Sequence, residues 1–475
     1  MEVTFLGHQG WMLSSQETHI LIDPVLTDTF GTSKELQFKI YPPRSIDHNQ
    51  LPKLSGIFIT NEHLDHFHLP SLKLLDKSIP IYVGRVMPDC VKNTIKQLGF
   101  ELFELSNTES VKLVNLNITF YIGSPSVPFW EKRCYQLYVM DENEIGVFIQ
   151  SDTLVNQFFI SQVNEKLIPC PKIFIATNNA QILPQDMYGA FDNLLFLDSS
   201  SKNGCTGINF LEEVLIQYPA QLPEISILLL SGSGYIIDHD NAKPFLFSEV
   251  NKLNEYLDEL ALGTQAKILY PGEQVRYKCS KIQAPQQLDW IKLNFSLYEQ
   301  INNRLITNSS PTYSLIEPIF FEHDDLFDLH LELIEQELIN MAQHLLLSVL
   351  GRSLLLVNEY LNGPLNAYRF VIELKRKSKN SIIFQLDVNA ACFKMTTASN
   401  DDLTHQYPFG LILYFSDFIA LLQGKIQIWE LATANMRQWY LGDKLESPVA
   451  FLYAYFSEQI RPDLAYQVYK TLDAR

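Results

Sequence analysis

The sequence predicts an α/β protein made of a layered α/β domain followed by a smaller α+β domain. Three observations carry this prediction. Short apolar runs alternate with loops and helical segments over roughly the first 290 residues. Several of these runs are continuously apolar, as in strands that are covered on both faces. Residues 303–312 are rich in Asn, Ser, Thr and Pro, which favours a boundary there. We therefore expect domains over residues 1–300 and 315–475.

The first domain alternates predicted strands and helices. Its strand-like runs lie at residues 3–5, 11–13, 20–22, 56–60, 118–122, 135–140, 146–150, 172–176, 194–197, 225–230 and 267–270. The run that ends at Ile22 is followed by Asp23 and Pro24, and a proline cannot donate to the strand ladder. Helical spacing of apolar residues appears at 91–98, 210–216 and 245–262.

The second domain begins with a long amphipathic helix, predicted at residues 325–350. Strands are predicted at 369–374, 381–386 and 411–414, and helices at 416–422, 448–458 and 463–472. This mixture of separate strands and helices is typical of an α+β domain.

Composition excludes several classes of protein. The 475 residues include 54 acidic and 36 basic side chains, so the net charge is −18 and nucleic acid is not an expected partner. No run of apolar residues is long enough to predict a membrane span. The N-terminus lacks the pattern of a secretory signal, and the six cysteines are scattered singly. We therefore expect reduced thiols and a cytoplasmic location.

A cluster of metal-ligating residues follows the run at 56–60. His63, Asp65 and His66 lie within four residues, at the carboxyl end of a predicted buried strand. Open α/β sheets place their binding sites at such strand ends. Alternating residues of an extended loop point the same way, so His63 and Asp65 can share one side with His66 beside them. This pattern predicts a metal site.

The segment resembles the metal loop of the metallo-β-lactamase fold, whose usual pattern is HxHxDH. We call residues 60–68 the metal loop. The resemblance extends over residues 1–290 and includes the motifs LGHQG at 6–10, LIDP at 21–24, SDT at 151–153 and YPGE at 270–273. It implies an αββα sandwich in which Asp152 is a further metal ligand, and in which His8 and Asp23 orient ligands.

Two departures from the pattern indicate which relatives within this fold the sequence resembles most in its ligands. Asn61 stands where the first histidine of HxHxDH is usual, and there is no histidine between His68 and His239. Glu131 lies where the missing histidine of the hydrolases would fall. A carboxylate in that position is similar to two relatives, the di-iron β-hydroxylases of nonribosomal peptide assembly lines and the CMP-N-acetylneuraminate hydroxylases. In such enzymes a glutamate in this position ligates iron.

The resemblance therefore implies a ligand set of two imidazoles and three carboxylates: His63, Asp65, His66, Glu131 and Asp152. Glu131 and Asp152 are the candidate catalytic carboxylates within it. Such an oxygen-rich set suits iron, with two ions expected, or manganese, better than a zinc pair.

Several residues keep a second interpretation. Glu131 is alternatively a surface carboxylate, and Asp152 a capping residue of a turn. Asn61 is a weak ligand or a hydrogen-bond donor beside the ligands. His239 could reach the rim of the site. Glu273 is a ligand, an acid–base group or an ordinary loop carboxylate.

Three functions follow from these residues. The first is a non-haem iron oxygenase that hydroxylates a small molecule, apolar or carrier-bound, and that needs an electron donor as partner. The second is a metallo-hydrolase of an ester, phosphoester or lactone, with zinc as the alternative metal. The third is a binding protein with a degenerate metal site. The C-terminal region faintly resembles sterol-carrier-like domains, in which aromatic side chains such as Phe418, Phe451 and Tyr455 would line an apolar cavity; the alternative is an ordinary aromatic core.

Overall fold

The structure is a computed structural model, in which strands and helices are numbered along the chain. It describes residues 1–124, 133–177, 192–193, 215–232, 234–237, 245–246, 250–259, 264–307, 317–356, 368–377, 379–396, 402–441 and 447–474. The expected strand at 194–197 and the start of the expected helix at 210–216 lie outside these residues, as do Glu131 and His239.

A nine-stranded sheet is built mainly from the start of the chain. Its order is β21-β20-β1-β2-β3-β7-β8-β9, with β22 paired to β20. The strands are β1 Glu2–Gly7, β2 Gly10–Ser15, β3 Thr18–Ile22, β7 Leu54–Ile59, β8 Ile81–Gly84, β9 Leu102–Leu105, β20 Glu273–Lys278, β21 Lys281–Ile282 and β22 Gln286–Gln287. From β3 to β9 neighbouring strands are parallel, so their carboxyl ends share one edge.

A seven-stranded sheet faces the first one. Its order is β10-β11-β12-β13-β14-β16-β19, and the last four strands are parallel. The strands are β10 Ser110–Leu113, β11 Leu116–Ile122, β12 Tyr135–Asp141, β13 Gly146–Ile149, β14 Ile173–Thr177, β16 Ile227–Ser231 and β19 Gln265–Ile268. The continuously apolar runs of the sequence are strands of these two sheets, as predicted.

Alternation along the strands explains the layers. In β3, Ile20 and Ile22 belong to the apolar core between the sheets, whereas Leu21 belongs to the core on the outer face. In β14, Ile173 and Ile175 face the inner core and Phe174 faces the opposite one. Because successive side chains point to opposite faces, a strand that is covered on both sides must be apolar throughout.

Helices cover both outer faces. Helices α1 Leu69–Lys73 and α2 Asp89–Gln97 contribute to the core outside the first sheet. Helices α3 Gln157–Asn164, α4 at residues 215–221, α5 Val250–Glu259 and α6 Phe295–Thr307 contribute to the core outside the second. The predicted αββα sandwich is therefore confirmed. The predicted helix at 245–262 starts late, because Phe245–Leu246 forms a short strand and α5 begins at Val250.

Five strands of the C-terminal region form a six-stranded sheet with β15 of the first region, in the order β15-β28-β27-β24-β25-β26. Its strands are β15 Asp192–Asn193, β24 Phe370–Arg376, β25 Lys379–Asp387, β26 Cys392–Thr396, β27 Phe409–Tyr414 and β28 Arg437–Tyr440. Its helices are α7 Phe327–Leu347, α8 Val349–Leu356, α9 Phe415–Leu422, α10 Ile428–Ala434, α11 Pro448–Tyr455 and α12 Pro462–Asp473. The region is α+β, as predicted.

Smaller elements complete the chain. A four-stranded sheet has the order β18-β17-β5-β4, and a two-stranded sheet pairs β23 with β6. These strands are β4 Thr29–Phe30, β5 Phe38–Ile40, β6 Arg44–Ile46, β17 Gly234–Ile237, β18 Phe245–Leu246 and β23 Ile291–Leu293. Short 3₁₀ helices span His48–Gln50, Asp324–Leu326 and Leu403–His405.

The long helix expected at 325–350 is interrupted. Ser348 has an extended backbone, and its hydroxyl donates to the carbonyl of Leu345 and accepts from the amide of Gly351. A serine in this arrangement ends α7 and caps α8, which periodicity alone did not predict.

Aromatic side chains of the C-terminal region pack against one another. Phe418, Phe451 and Tyr455 are each 4% exposed and belong to one large apolar core. Their packing agrees with the alternative of an ordinary aromatic core, and the expected cavity stays a prediction. The likeness to sterol-carrier-like domains stays a prediction.

Contacts cross the predicted boundary between the two domains. Tyr469 of α12 packs edge-on against Phe67, with ring centroids 5.4 Å apart, and Leu472 joins the core over α1 and α2. The buried carboxylate of Glu430 accepts hydrogen bonds from the amide and the hydroxyl of Thr32, both at 2.6 Å. The division into 1–300 and 315–475 stays a prediction, and the two regions share apolar cores.

Among the described residues, no single helix has both the length and the apolar character needed to cross a bilayer. One pair of helical segments reaches that length and composition only when the two are taken together. They are Asp324–Leu347 and Val349–Leu356, and they are bent by 77° relative to each other.

Candidate metal centre

Two strand ends bring the candidate ligands together. The metal loop follows β7 of the first sheet, and Asp152 follows β13 of the second. The ligand atoms of Asp65, His66 and Asp152 all lie within 4.8 Å of one another. We call these three residues the metal cluster. The His66 side chain is fully buried, and those of Asp65 and Asp152 are 19% and 10% exposed.

The spacing within the metal cluster fits one ion. Nε2 of His66 lies 2.9 Å from Oδ2 of Asp152 and 3.8 Å from Oδ2 of Asp65. Two donor atoms that bind one ion at about 2.1 Å are about 3 Å apart at a right angle and about 4 Å apart when nearly opposite. The two distances from His66 are thus those expected for ligands of a single cation.

Asp23 orients His66. Its Oδ2 atom lies 2.7 Å from Nδ1 of His66, and its two oxygens also accept from the amide and hydroxyl of Thr60 at 2.8 and 2.6 Å. Because a carboxylate only accepts, Nδ1 donates to Asp23, and a cation bound at Nε2 would take the place of the proton that Nε2 otherwise donates to Oδ2 of Asp152. Carboxylates hold metal-binding histidines in this way in many proteins. The expected role of Asp23 thus agrees with its position.

The charges around His66 favour a cation. Burial disfavours the imidazolium, but the carboxylates of Asp152, Asp23 and Asp65 outweigh burial and raise the pKa of His66 well above its ordinary value. Burial also opposes ionisation of Asp65, yet His66 and His8 hold the pKa of that carboxyl well below its usual range. Three carboxylates around one imidazole require positive charge, which a proton or a metal ion supplies.

The tight turn between β1 and β2 brings two more side chains to the site. Nε2 of His8 lies 2.9 Å from Oδ2 of Asp65, so the expected role of His8 beside a ligand agrees with its position. Gln9 donates to Oδ1 of Asp152 at 3.3 Å and accepts from the hydroxyl of Ser231. Gln9 was not predicted, although it adjoins His8 in the LGHQG motif.

Backbone strain marks the same positions. His8, Asp23 and Ser151 have φ angles of 55°, 46° and 54°, which non-glycine residues adopt rarely. Each residue follows a strand end and adjoins or belongs to the site. Such strained positions cluster where the surrounding structure must aim a side chain.

Polar residues that sequence reasoning missed complete the site. The hydroxyls of Thr60 and Ser151 are 2.7 Å apart, so the loops that follow β7 of the first sheet and β13 of the second are bonded to each other. The Thr177 hydroxyl is 3.5 Å from Oδ1 of Asp152. Thr60 ends the predicted strand at 56–60 and Thr177 follows the predicted strand at 172–176, and that position was the one available signal for them.

His63 lies beside the metal cluster and outside its 4.8 Å limit. Its side chain is half-buried, and burial lowers its pKa, against the carboxylates of Glu62 and Asp65. It is therefore within electrostatic reach of the predicted site, and its role as a ligand stays a prediction.

Asn61 directs its oxygen away from a ligand role. Oδ1 accepts the amide hydrogen of His63 at 2.9 Å, and the buried Nδ2 atom has no hydrogen-bond partner among the described residues. An amide nitrogen is not a metal ligand. If the oxygen and nitrogen of the Asn61 amide were exchanged, its NH₂ group would face the backbone N–H of His63, and two donors would meet. The position favours the interpretation of Asn61 as a donor beside the ligands.

The remaining histidine and glutamate residues named from the sequence lie in different surroundings. His68 is buried at the start of α1, where its Nδ1 lies 2.7 Å from the hydroxyl of Ser71, and burial with Arg44 nearby lowers its pKa to about 3. Glu273 lies outside the metal cluster and accepts the amide hydrogen of Tyr270 at 2.8 Å, which is the role of a loop carboxylate. Glu131 and His239 lie outside the described residues.

Comparisons with known proteins place this site in a known domain. Residues 18–150 match the β-lactamase superfamily domain, a segment that contains Asp23 and the whole metal loop and ends two residues before Asp152. The matched segment is just over a quarter of the chain. The match and the metal cluster together indicate a metal-dependent enzyme, and they do not separate a hydrolase from a hydroxylase.

Two curated proteins are similar to part of the chain. Both are described as putative Rieske 2Fe-2S iron-sulfur proteins, from two strains of Mycobacterium tuberculosis, and each is 26% identical over 113 residues. That stretch covers 24% of this chain and 21% of each relative. The chain therefore spans about a fifth of the length of the curated relatives that it matches.

Solved structures of low similarity include both chemical classes. An isothiocyanate hydrolase from Delia radicum gut bacteria is 16% identical with a TM-score of 0.40, and 58% of this chain and 99% of that chain are covered. A possible metal-dependent hydrolase from Veillonella parvula is 15% identical with a TM-score of 0.41, at the same coverage. CmlA, a diiron β-hydroxylase from Streptomyces venezuelae, is 13% identical with a TM-score of 0.37, and the match covers 60% of this chain and 54% of CmlA.

Proposed function

We propose that this chain, whose residues 18–150 match a β-lactamase superfamily domain, is an iron-dependent oxygenase that hydroxylates a small molecule. The observation that carries the proposal is the composition of the metal cluster, in which Asp65 and Asp152 flank a single imidazole, that of His66. Zinc hydrolase sites use mainly imidazole and thiolate ligands, whereas histidine with carboxylate ligands suits non-haem iron. Asn61 supports the proposal, because its oxygen is already bonded to the loop backbone.

Each residue of the site has a defined task in this proposal. Asp65, His66 and Asp152 hold the metal, with His63 and Glu131 as the further predicted ligands. Asp23 fixes the ring of His66, and His8 and Gln9 fix the carboxylates of Asp65 and Asp152. When bound, iron supplies the redox chemistry that transfers one oxygen atom of dioxygen to a C–H bond.

The reaction also defines a partner. Hydroxylation by dioxygen consumes two electrons and two protons and releases one water, so an electron donor must act with the chain. The curated relatives are described as Rieske proteins, and a Rieske centre carries one electron at a time. We therefore propose a Rieske-type protein as the donor, with a small apolar or carrier-bound molecule as the substrate.

A hydrolase is the second candidate, and one observation favours it. Only Oδ2 of Asp65 has hydrogen-bonding partners within the described part of the chain, and the side chain is 19% exposed. The other oxygen of Asp65 is free there to orient a metal-activated water molecule that attacks an ester, phosphoester or lactone.

Elemental analysis of protein purified without added metal tests the proposal. We expect iron in the wild-type protein, at about two ions per chain for a di-iron site. Asp65→Ala and His66→Ala should each lose the metal, because each removes a ligand. Asp325→Ala, at an exposed position, is the matched control. Zinc instead of iron would support the hydrolase, and protein free of metal would support a binding protein with a degenerate site.

A further inference from the structure

A buried ion pair lies next to the candidate ligands. Glu62 stands between Asn61 and His63 in the metal loop, and its side chain is 0% exposed. Arg133, at the start of β12, donates to Oε1 of Glu62 through both Nε, at 2.9 Å, and Nη2. The second oxygen of Glu62 is buried and has no hydrogen-bond partner among the described residues. Arg133 is therefore the cation that compensates a carboxylate within the metal loop.

The ion pair ties the loop to the second sheet. Two residues after Arg133, the amide of Tyr135 donates to the carbonyl of Thr60 at 2.9 Å, at the first residue of the loop. On the opposite side of the loop, Asp23 holds Thr60 and His66. The loop is thus held by Asp23 at one side and by Arg133 at the other, and Arg133 acts on the part that carries Asn61 and His63.

The C-terminal region completes the cluster of charges. Glu458, in the turn that follows α11, is 8% exposed, and its Oε1 accepts from Nε2 of Gln427 at 3.2 Å. Burial and the neighbouring Glu62 raise the pKa of Glu458 to about 8.

We propose that Arg133 is a positioning residue for the metal loop, which it holds through Glu62. This inference rests on the proposed metal site. Arg133 touches none of Asp65, His66 and Asp152, and its effect on a metal runs through the backbone of residues 61–63. An ion pair that served only stability would affect unfolding and leave metal affinity unchanged.

Two conservative variants test the inference. Arg133→Lys keeps the charge and loses the fork that bonds Glu62 through two nitrogens. Glu62→Gln keeps the shape and an oxygen that accepts from Arg133, whose side chain is 16% exposed and can share its charge with water, so it remains informative if the lysine variant fails to fold. Arg376→Lys is the matched control, because Arg376 forms a comparably buried pair with Glu322 in the C-terminal region, at 12% and 10% exposure. The probe is Mn²⁺, titrated into metal-free protein and followed by electron paramagnetic resonance, with the melting temperature of the metal-free protein as the second readout.

The outcomes separate the inference from the proposed function. We expect Arg133→Lys and Glu62→Gln to bind Mn²⁺ about 10- to 100-fold more weakly than the wild type, as when other partners of ligand residues are replaced. Arg376→Lys should lower the melting temperature and leave Mn²⁺ affinity within about twofold of the wild type. Wild-type affinity in both loop variants would overturn the inference alone. A wild-type protein that binds no Mn²⁺ and carries no iron would overturn the proposed metal site and the inference with it.

Discussion

The Oδ2 atom of Asp23 lies 2.7 Å from Nδ1 of His66. Asp23 ends the third strand of the first sheet, and the same carboxylate also accepts two hydrogen bonds from Thr60. One side chain therefore sets both the ring of a candidate ligand and the start of the metal loop. This arrangement makes Asp23 the residue whose replacement tests the geometry of the site without removal of a ligand.

Asp23→Asn should weaken metal binding about 10- to 100-fold, because the amide can donate to Nδ1 and allow the wrong tautomer of His66. The measurement is a Mn²⁺ titration of the metal-free protein. Asp325→Asn, at an exposed position of the C-terminal region, is the control and should bind as the wild type does. Equal affinities in Asp23→Asn and the wild type would show that His66 does not bind the metal through Nε2.

Glu131→Gln should weaken iron binding, and ferric iron more than ferrous iron, if Glu131 is the third carboxylate ligand. The substitution keeps the shape and removes one negative charge, on which the more highly charged ion depends most. Titration of both oxidation states into the variant and the wild type provides the measurement. Glu165→Gln, at an exposed helix end, is the control. Identical stoichiometry and affinity would indicate that Glu131 is a surface carboxylate and no ligand, and would favour the hydrolase or the binding protein.

Glu430→Ala should lower the free energy of unfolding by about 3 kcal/mol, because the amides of Thr32 and Gln427 would lose their buried acceptor. Urea denaturation gives the value. Glu335→Ala, on the exposed face of α7, should change stability by less than about 0.5 kcal/mol. A loss of the same size in both variants would contradict a role of Glu430 in joining the two regions.

The metal-free protein should be more stable at pH 6 than at pH 8.5. Burial raises the pKa of Glu458 to about 8, whereas the same group in the unfolded chain has released its proton near pH 4.5. Between these values the folded state binds the extra proton, so the free energy of unfolding falls as the pH rises, by an amount on the order of 2 kcal/mol. Glu62, Arg133, Tyr469 and Cys90 are the other ionisable groups around Glu458.

Glu458→Gln isolates this contribution, because glutamine cannot lose a proton. Urea denaturation with a chelator present, at both pH values, should give a smaller difference for the variant than for the wild type. The buried Asp417, whose pKa is raised to about 6, contributes to the fall in stability in both proteins. A pH dependence that is the same in both proteins would show that Glu458 is ionised in the folded state at pH 6.

The fold could be predicted where periodicity is local. Ile20, Leu21 and Ile22 indicate a strand covered on both faces, and Asp23 with Pro24 marks its end. Ser348 shows the limit of this reasoning. The apolar pattern continues across it, and only the hydrogen bonds of its hydroxyl reveal that one helix ends and another begins.

The site could be predicted where the ligands are close in sequence. Asp65 and His66 are neighbours in a recognisable loop, whereas the partner of Glu62 lies 71 residues away and the partner of Gln9 143 residues away. Long-range pairs of this kind leave no spacing in the sequence. For Glu273 the sequence left a ligand, an acid–base group and a loop carboxylate open, and only the structure shows that a local turn uses its carboxylate.

The docking of α12 has a consequence for biosynthesis. Lys73, at the end of α1, donates to the backbone carbonyl of Asp473, although the two residues are 400 positions apart. Ribosomes make the chain from its N-terminus and early domains begin to fold during synthesis, so α1 and the metal loop emerge long before Tyr469 and Leu472 can cover them. During translation that apolar surface stays uncovered, so the core over α1 and α2 is complete only after α12 has been made.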